Sequence, residues 1–552
     1  MSKRVAVIGS GASGLVSIKE CLDYGVQPVC FEQSHDIGGL WRYKSENIPG
    51  EASIMKSTVI NSSKEAMAFS DFPPDPDLPM YMHNQGIYQY LNSYADHFNL
   101  RKWIRFNCQI KSVRKAPDYE KSGRWIVSWK MLKEFSESEQ KGEEDTFDGV
   151  MICTGHHVTP FQPSFPGSER FRGKIIHSRD YKIPLGYEDK RVLIVGMGNT
   201  GGDIAVELTN VASQVYVICR QGNWVMRRLI WKGYPSDLAI NSRFLYFFVA
   251  YIPFLVNLTM EAVANHGLSH RIYGLEPSHR IMQQHVFVND DLPTRLSTGR
   301  LLIVRSGIAK FTESGVVLED GSSISDLDVI ILATGYSIDF PFIEQDVIPV
   351  QDNRVDLFKY MFPVNLPRPS LSVIGLIQPI GPIFPIAELQ ARIALSALTG
   401  HVTLPSADAM TSDVERARER MQRRFVSSRR HTIQVDFVHF MDELGSMLGV
   451  KPNLWTLLWS DPILWCRLIV GPTLSYHYRL VGIHAKPDLA RNLISGTWSR
   501  TFHHLRTAAD GADPIEIFTP TSLLWWITYA LGKVAAFMLL IWLFRELVVL
   551  IF

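Results

Sequence analysis

The chain has 552 residues, with 56 basic and 55 acidic side chains and a formal net charge of +1. This length is enough for more than one domain, and 46% hydrophobic with 20% charged residues is ordinary for a globular protein. The balanced charge argues against a nucleic-acid partner or a broadly acidic one. The six cysteines lie far apart without CxxC spacing, which argues against a zinc site and a CxxC redox pair.

The N-terminal stretch predicts a strand, a glycine turn and a helix. The apolar strand VAVI leads into G-x-G-x-x-G, and the helix GLVSIKECLDYG follows. In this motif the glycines permit a tight turn, a close approach to a pyrophosphate and close helix–strand packing. The next strand, QPVCFE, ends in an acid that can accept a ribose hydroxyl. The predicted dinucleotide site consists of Gly9, Ser10, Gly11, Ala12, Ser13, Gly14 and Glu32.

A second unit of the same kind begins at the strand RVLIV, and its next strand, QVYVICR, ends in arginine instead of an acid. An arginine here can bind a 2′-phosphate that a carboxylate would repel. The alternative is that this arginine is only a solvated surface residue. The second predicted site consists of Val195, Gly196, Met197, Gly198, Asn199, Thr200, Gly201 and Arg220.

The two units therefore predict two different cofactors. The first suits FAD, which has no 2′-phosphate, and the second suits NADPH. Holding both at once indicates that hydride passes from a nicotinamide to a flavin. Two apolar stretches ending in Thr-Gly, DGVMICTGHH (148–157) and LDVIILATGYSIDF (327–340), are typical of crossings between two such domains.

The C-terminal stretch Leu523–Phe544 is apolar over 22 residues except for Lys533. As a helix it would be roughly 33 Å long, close to the thickness of a bilayer core. We expect a membrane anchor on the endoplasmic reticulum with the catalytic body facing the cytosol, because no leader is seen at the N-terminus; the alternative is a buried core helix. The uncharged run Phe244–Leu258 is too short to span a bilayer and is either an interfacial patch or ordinary core.

These observations predict an α/β fold with two Rossmann-like dinucleotide-binding domains, one inserted in the other, and a C-terminal membrane helix. The predicted boundaries are 1–155 and 331–445 for the two parts of the FAD domain, 156–330 for the NADPH domain with an insertion at 214–295, 446–520 for a connecting region and 521–552 for the membrane anchor.

Several long motifs resemble those of the flavin-containing monooxygenases of animals, over essentially the whole chain. FRGKIIHSRDY fits F-x-G-x-x-x-H-x-x-x-Y through Phe171, Gly173, His177 and Tyr181. EQSHDIGGLWRY, INSSKEAMAFSDFP, LATGYSIDFPF and GLIQPIGPIFPIAELQAR match further family segments. The resemblance implies that Asn61 is the active-site asparagine and that further cofactor contacts come from Gly39, Leu40, Trp41, Ile60, Ser62 and Gln378.

The resemblance also implies a mechanism. NADPH would reduce FAD, dioxygen would add to give a C4a-hydroperoxyflavin, and bound NADP⁺ would keep water away from it. The nitrogen of an amine or the sulfur of a thioether would then take up the distal oxygen. Asn61 would offer its amide to the flavin adduct or to NADP⁺. Ile60 replaces the Thr or Ser that is common beside this asparagine, so the balance between oxygenation and uncoupled oxidation stays open.

Three histidines are candidates for a functional or a structural role. His177 is either a proton relay or, as we favour, a residue that holds the domain junction. His156 and His157 form a pair without other residues at metal-ligand spacing, so no metal site is predicted. The segment Val288–Arg295 is a candidate gate to the substrate pocket.

Other functions remain as alternatives at this level. They are a Baeyer–Villiger oxygenase acting on ketones, an uncoupled NADPH oxidase, a flavin disulfide reductase, and a membrane-bound scaffold without activity. Cys21 and Cys30 are poorly placed for a disulfide reductase, and the intact glycine motifs argue against a scaffold. The expected partners are a small-molecule substrate, dioxygen and membrane lipid, with no nucleic acid; whether the chain forms a homo-oligomer is left open.

Overall fold

The computed structural model describes residues 2–132, 142–230, 233–426 and 432–505. The predicted membrane anchor at 521–552 lies outside these ranges. In the described ranges, no helix is both long enough and apolar enough to cross a bilayer.

The first of two central sheets has five parallel strands, in which Arg4–Ile8 is the middle one. Its four apolar residues are buried, as expected for a strand covered on both faces. The helix Ala12–Asp23 lies against this sheet and packs on the helix Phe384–Thr399. The strand order is Leu371–Val373, Gly149–Ile152, Arg4–Ile8, Gln27–Phe31 and Ile104–Arg105.

The second sheet is also parallel and repeats this arrangement around Arg191–Val195. The strand before each glycine turn lies in the middle, with the next strand of the unit on one side and the Thr-Gly strand on the other. The order is Leu301–Val304, Gln214–Ile218, Arg191–Val195, Val329–Leu332 and Lys174–His177.

A three-stranded antiparallel sheet precedes the Thr-Gly strand in each half. These strands are Cys108–Lys115, Trp125–Met131 and Glu143–Phe147 in the first half, and Ile308–Phe311, Val316–Leu318 and Ser323–Ile324 in the second. The two halves therefore share one architecture, which accounts for the repeated sequence motifs.

The second half is nested in the first. After Gly149–Ile152 the chain builds the whole second sheet and then returns, because Leu371–Val373 pairs with Val150 to Ile152 at the edge of the first sheet. The extra helices of the second half lie between Ile218 and Leu301. They begin after the start of the predicted insertion, since Gln214–Ile218 is itself a strand of the second sheet.

The remaining elements connect and cover the two sheets. The other helices are Lys64–Met67, Asn84–His97, Tyr119–Ser122, Asn199–Leu208, Ser236–Ile240, Arg243–Tyr251, Pro253–Gly267, Leu292–Ser297, Ala407–Arg424, Phe437–Met447, Leu454–Ser460, Pro462–Val470, Pro487–Ser495 and Thr497–Phe502. The other strands are Thr159–Pro160, Val225–Met226, Leu229–Ile230, Tyr234–Pro235, Phe287–Val288, Tyr336–Ser337, Val350–Gln351, Arg354–Val355, Leu357–Phe358, Phe362–Pro363, Gln378–Ile380 and Gln434–Asp436.

Candidate active site

The first glycine turn has the geometry of a phosphate cradle. Gly9 has a φ of +98°, and a Cβ there would lie 2.9 Å from the carbonyl oxygen of Cys153. A Cβ on Gly14 would lie 1.9 Å from the carbonyl oxygen of Gly9. Only glycine fits either position. The helix Ala12–Asp23 begins at this turn, so its first N–H groups can bind an anion.

The second turn repeats these contacts. Gly196 has a φ of +107°, and its Cβ would lie 2.7 Å from the carbonyl oxygen of Ala333. A Cβ on Gly201 would lie 2.1 Å from the carbonyl oxygen of Gly196. The helix Asn199–Leu208 begins here in the same way. Both turns therefore fit a dinucleotide pyrophosphate.

The charges beside the two turns differ. Glu32 is buried, and its carboxylate accepts hydrogen bonds from the backbone N–H and hydroxyl of Ser10 at 2.7 and 2.9 Å. It also accepts from the N–H and hydroxyl of Ser34, both at 2.8 Å. Arg220 is exposed just beyond the strand Gln214–Ile218. A 2′-phosphate would be repelled by the first group and attracted by the second.

Other predicted contacts also lie at the first turn. Gly39, Leu40 and Trp41 form one turn of 3₁₀ helix, and a Cβ on Gly39 would lie 3.1 Å from the Cα of Gly11. Gly375 approaches the same helix start, since its Cβ would lie 2.3 Å from Oγ of Ser13. Gln378, three residues further on, is half-buried and starts a strand paired with Gln434–Asp436. The structure therefore brings the GGLW segment and the segment before Gln378 to this cradle.

The second turn is held by Asn199, which belongs to the predicted site, and by Asn223, which the sequence patterns did not indicate. Asn223 donates to the carbonyl oxygen of Met197 at 2.6 Å, and Asn199 accepts from the N–H of Val288 at 3.0 Å. Val195 and Thr200 lie at the end of the strand and in the first turn of the helix. Burial raises the pKa of Asp203, on the same helix, to about 6. The approach of Asn223 is visible only in the folded chain.

The segment that carries Asn61 connects the two halves. Met55 belongs to the apolar core of the second half. Ser53 donates to the carbonyl oxygen of Arg179 at 3.0 Å, and the N–H of Lys56 donates to the carbonyl oxygen of Lys182 at 2.9 Å. Asn61 is half-buried at the end of this segment, and its side-chain oxygen accepts a hydrogen bond from Arg228 at 2.8 Å. Asn61 therefore lies where residues of the two halves meet.

The neighbours of Asn61 have different environments. Ile60 is half-buried against the first core and its N–H donates to the carbonyl oxygen of Met82. Ser62 is half-buried, while Ser63 is fully buried and bonded to Asp237. Burial, followed in importance by the Asp237 carboxylate, raises the pKa of Tyr81. Arg228, Asp237 and Tyr81 were not predicted, because nothing in their local sequence distinguishes them.

The F-x-G-x-x-x-H-x-x-x-Y motif forms the edge of the second sheet. His177 is buried, its Nε2 lies 3.0 Å from the carbonyl oxygen of Gly335, and its Nδ1 accepts from the N–H of Arg179 at 3.1 Å. Burial lowers its pKa, so it is a neutral ring with both nitrogens engaged. Tyr181 is buried and donates to Glu207 at 2.6 Å. This geometry fits a residue that holds the domain junction.

One group of acidic and histidine side chains lies at the C-terminal end of the helix Ala12–Asp23, at the opposite end from the glycine turn. Within the described residues, ligand atoms of Glu20, Asp23 and His484 come within 4.8 Å of one another. The ammonium of Lys19 lies 3.0 Å from Glu20 and 2.8 Å from Asp23, which supplies the positive charge that these carboxylates need. Burial lowers the pKa of His157 to about 4, and its ring lies beside that of His156.

A buried ion cluster joins the C-terminal region to the first cradle. Arg479 is fully buried and lies 2.8 Å from Glu20, on the cradle helix, and 2.8 Å from Glu388. Its Nε donates to the hydroxyl of Ser70 at 2.6 Å. Burial alone would lower the pKa of Arg479, but the surrounding carboxylates raise it. The stretch of the predicted connecting region around Arg479 is thus packed into the core.

Nested parallel sheets with two glycine cradles define this chain as a two-dinucleotide oxidoreductase. A family model described as flavin-binding monooxygenase-like matches residues 2–541. The chain is 47% identical over 508 residues to flavin-containing monooxygenase 5 of Cavia porcellus, covering 92% of this chain and 93% of the relative. It is 44% identical over 512 residues to dimethylaniline monooxygenase (N-oxide-forming) 2 of Pan troglodytes, covering 92% and 94%.

Solved structures agree on the fold. An S-allyl-L-cysteine S-oxygenase of Allium sativum matches 91% of this chain and 99% of its own, with a TM-score of 0.61 and 24% identity. The NADP⁺-bound cyclohexanone monooxygenase of Rhodococcus sp. Phi1 matches 81% and 98%, with a TM-score of 0.57 and 17% identity.

The chain belongs to the flavin-binding monooxygenase-like family. It is an oxidoreductase that performs flavin-dependent monooxygenation.

Proposed function

We propose that this enzyme uses NADPH and dioxygen to oxygenate soft nucleophiles, the nitrogen of amines or the sulfur of thioethers, in small molecules. The observation that carries the proposal is the pair of equivalent cradles with opposite charges beside them, at Glu32 and Arg220. An N-oxide-forming relative at 44% identity supports the substrate class.

The residues of the chain have separate roles in this proposal. Gly9 to Gly14 hold the FAD pyrophosphate on the helix start, and Glu32 accepts a ribose hydroxyl. Gly196 to Gly201 hold NADPH in the same way, and Arg220 pairs with its 2′-phosphate. The bound flavin supplies the activation of dioxygen. Asn61 offers its amide N–H groups where the two halves meet.

The proposal is tested with the purified full chain in detergent, supplied with FAD, NADPH and air. N,N-dimethylaniline, methyl p-tolyl sulfide and 2-heptanone are compared as substrates. We expect the N-oxide and the sulfoxide, formed in proportion to the NADPH consumed. Ester from the ketone alone would indicate the Baeyer–Villiger alternative, and peroxide equal to NADPH with every substrate would indicate an oxidase. Either result would contradict the proposal.

We further propose that the enzyme attaches to the endoplasmic reticulum membrane through Leu523–Phe544, with its catalytic body in the cytosol. An exposed aromatic surface on the described residues supports membrane attachment. In the helix Arg243–Tyr251 only the arginine is buried, bonded to Asp442 at 2.7 Å, whereas Phe247 is 54% and Tyr251 73% exposed. A helix that faces water normally exposes its charged residues and buries its apolar ones, whereas this helix does the opposite.

Neighbouring helices also expose apolar side chains, while Val256 of the same run is buried in a core cluster. The helix Pro253–Gly267 exposes Phe254, and the helix Leu454–Ser460 exposes Trp455 and Trp459, 79% and 83% respectively. The helix Arg243–Tyr251 contacts both Pro253–Gly267 and Pro462–Val470, and Pro462–Val470 in turn contacts Leu454–Ser460. Tryptophan prefers the membrane–water interface, so a lipid headgroup region is the environment that suits this surface.

A further inference from the structure

The amide of Asn61 has its orientation fixed by a charged donor. Nη2 of Arg228 lies 2.8 Å from Oδ1 of Asn61. A guanidinium group has only N–H donors, so the amide oxygen must face Arg228. The two N–H groups of Asn61 therefore point away from Arg228, and no hydrogen bond occupies them within the described part of the chain.

Arg228 is itself held at both ends. Its Nη1 lies 3.1 Å from the carboxylate of Asp290, which also accepts from its backbone N–H at 3.0 Å. Its carbonyl oxygen accepts from the hydroxyl of Tyr81 at 2.7 Å. The side chain is only 13% exposed. Few alternative positions are therefore open to the guanidinium group.

The backbone beyond Asn61 is fixed from the same side. One carboxylate oxygen of Asp237 accepts from the N–H and the hydroxyl of Ser63, at 2.7 and 2.8 Å. Its other oxygen lies 3.1 Å from the hydroxyl of Tyr81. Arg228, Asp237 and Asp290 all lie between the strands Gln214–Ile218 and Leu301–Val304 of the second half. The stretch of the second half between these two strands therefore reaches the asparagine of the first half.

We propose that Arg228 is a positioning residue, which orients Asn61 so that its amide presents donors, not its oxygen, to the bound cofactors. This inference rests on the proposed function of Asn61. The terminal torsion of an asparagine is broad and nearly two-fold, so without a partner the amide can present either face. A charged donor on Oδ1 removes that freedom.

The test is a double-mutant cycle in the full chain with Asn61→Ala, Arg228→Met and both together. Arg227→Met is the matched control, because the side chain of this exposed neighbour donates, among the described residues, only to the carbonyl oxygen of Gly267. Two quantities are measured: the dissociation constant of NADP⁺ from the change in flavin absorbance, without turnover, and the ratio of peroxide formed to NADPH consumed. Flavin content and thermal unfolding report whether each variant is folded.

We expect Arg228→Met to change whichever quantity Asn61→Ala changes, by a similar factor of about tenfold. The double variant should show the same tenfold change and no more, since Arg228 acts through Asn61. Factors that multiply, or an Arg228→Met enzyme that behaves like Arg227→Met, would overturn the inference.

A second variant covers a failure of Arg228→Met to fold. Arg228→Lys keeps the charge but not the planar fork that serves Asn61 and Asp290 through separate nitrogens, and we expect a smaller change in the same direction. Wild-type behaviour would overturn the inference. If Asn61→Ala changes neither quantity, or the wild-type chain holds no flavin, the proposed function fails and takes the inference with it. If Asn61→Ala has its effect and Arg228→Met has none, the inference fails alone.

Discussion

Glu32 and Arg220 occupy matching places in the two halves, just beyond the strand that follows each glycine-turn helix. The carboxylate is buried and tied to Ser10 and Ser34, whereas the guanidinium group is exposed and accessible to a ligand. The difference lies in a single side chain on otherwise equal frameworks. Under the proposed function, selection between cofactors is therefore a property of individual residues, and we expect that it can be changed without altering the fold.

The prediction at this scale concerns Arg220→Gln. Losing a charge-assisted bond to the 2′-phosphate should raise the KM for NADPH about tenfold or more, because such bonds contribute roughly 1.5–3 kcal/mol. The KM for NADH should not change, since NADH lacks that phosphate. Steady-state kinetics with both nucleotides provide the measurement. An equal change for both, or none, would support the reading of Arg220 as a solvated surface residue.

At the scale of elements, the first cradle depends on a segment far away in the chain. Arg479 neutralises carboxylates on the cradle helix and on the helix Phe384–Thr399, and also bonds Ser70 in the stretch after Asn61. Removing one partner of a buried ion cluster leaves uncompensated charge. Through Arg479, the predicted connecting region therefore supports the first cradle.

We expect Arg479→Met to lower the free energy of unfolding by about 3–5 kcal/mol and to release FAD more readily, because Glu388 would keep a buried, unpaired charge and Glu20 would be left with Lys19 alone. Arg491→Met is the control. Its ion pair with Asp461 is exposed at the surface, so the loss should stay below about 1 kcal/mol. Denaturant unfolding and flavin fluorescence check both variants. Equal losses in the two variants would contradict this role.

At the scale of the whole molecule, the exposed aromatic surface and the apolar C-terminal stretch both favour attachment of the protein to a membrane. Phe247, Tyr251, Trp455 and Trp459 are exposed on two helices that both contact the helix Pro462–Val470, whereas Arg243 is buried. If the anchor and this surface act together, each adds to membrane affinity through the apolar area it places in the interface.

We expect the full chain to float with liposomes and to resist carbonate extraction. A chain ending at residue 520 should keep its flavin but bind liposomes only weakly, and Trp455→Ser with Trp459→Ser should weaken that residual binding severalfold. Lys102→Ser with Lys111→Ser is the surface control. Full extraction of the intact chain by carbonate would refute the anchor, and unchanged residual binding by the tryptophan variant would refute the interfacial role.

The sequence by itself determined the two cradles and their order in the chain. Glycine spacing, the flanking apolar strands and the strand-end charges are local features, and the sterics of Gly9, Gly14, Gly196 and Gly201 follow from the turn they must make. The parallel sheets follow as well, because a strand–helix–strand unit has few ways to pack. The domain boundaries and the anchor stay predictions.

The tertiary structure alone decided which side chains support the site. Arg228 meets Asn61 across 167 residues of sequence, and Arg479 meets Glu20 across 459. No periodicity links positions so far apart, since their contact depends on how the nested halves dock. Packing likewise decided that Phe247 is exposed while Arg243 is buried, because the partner Asp442 comes from a distant helix. Local sequence patterns predict backbone conformation, because neighbouring residues determine it. Ion pairs and hydrogen bonds between distant residues form only when the chain folds, so local patterns do not predict them.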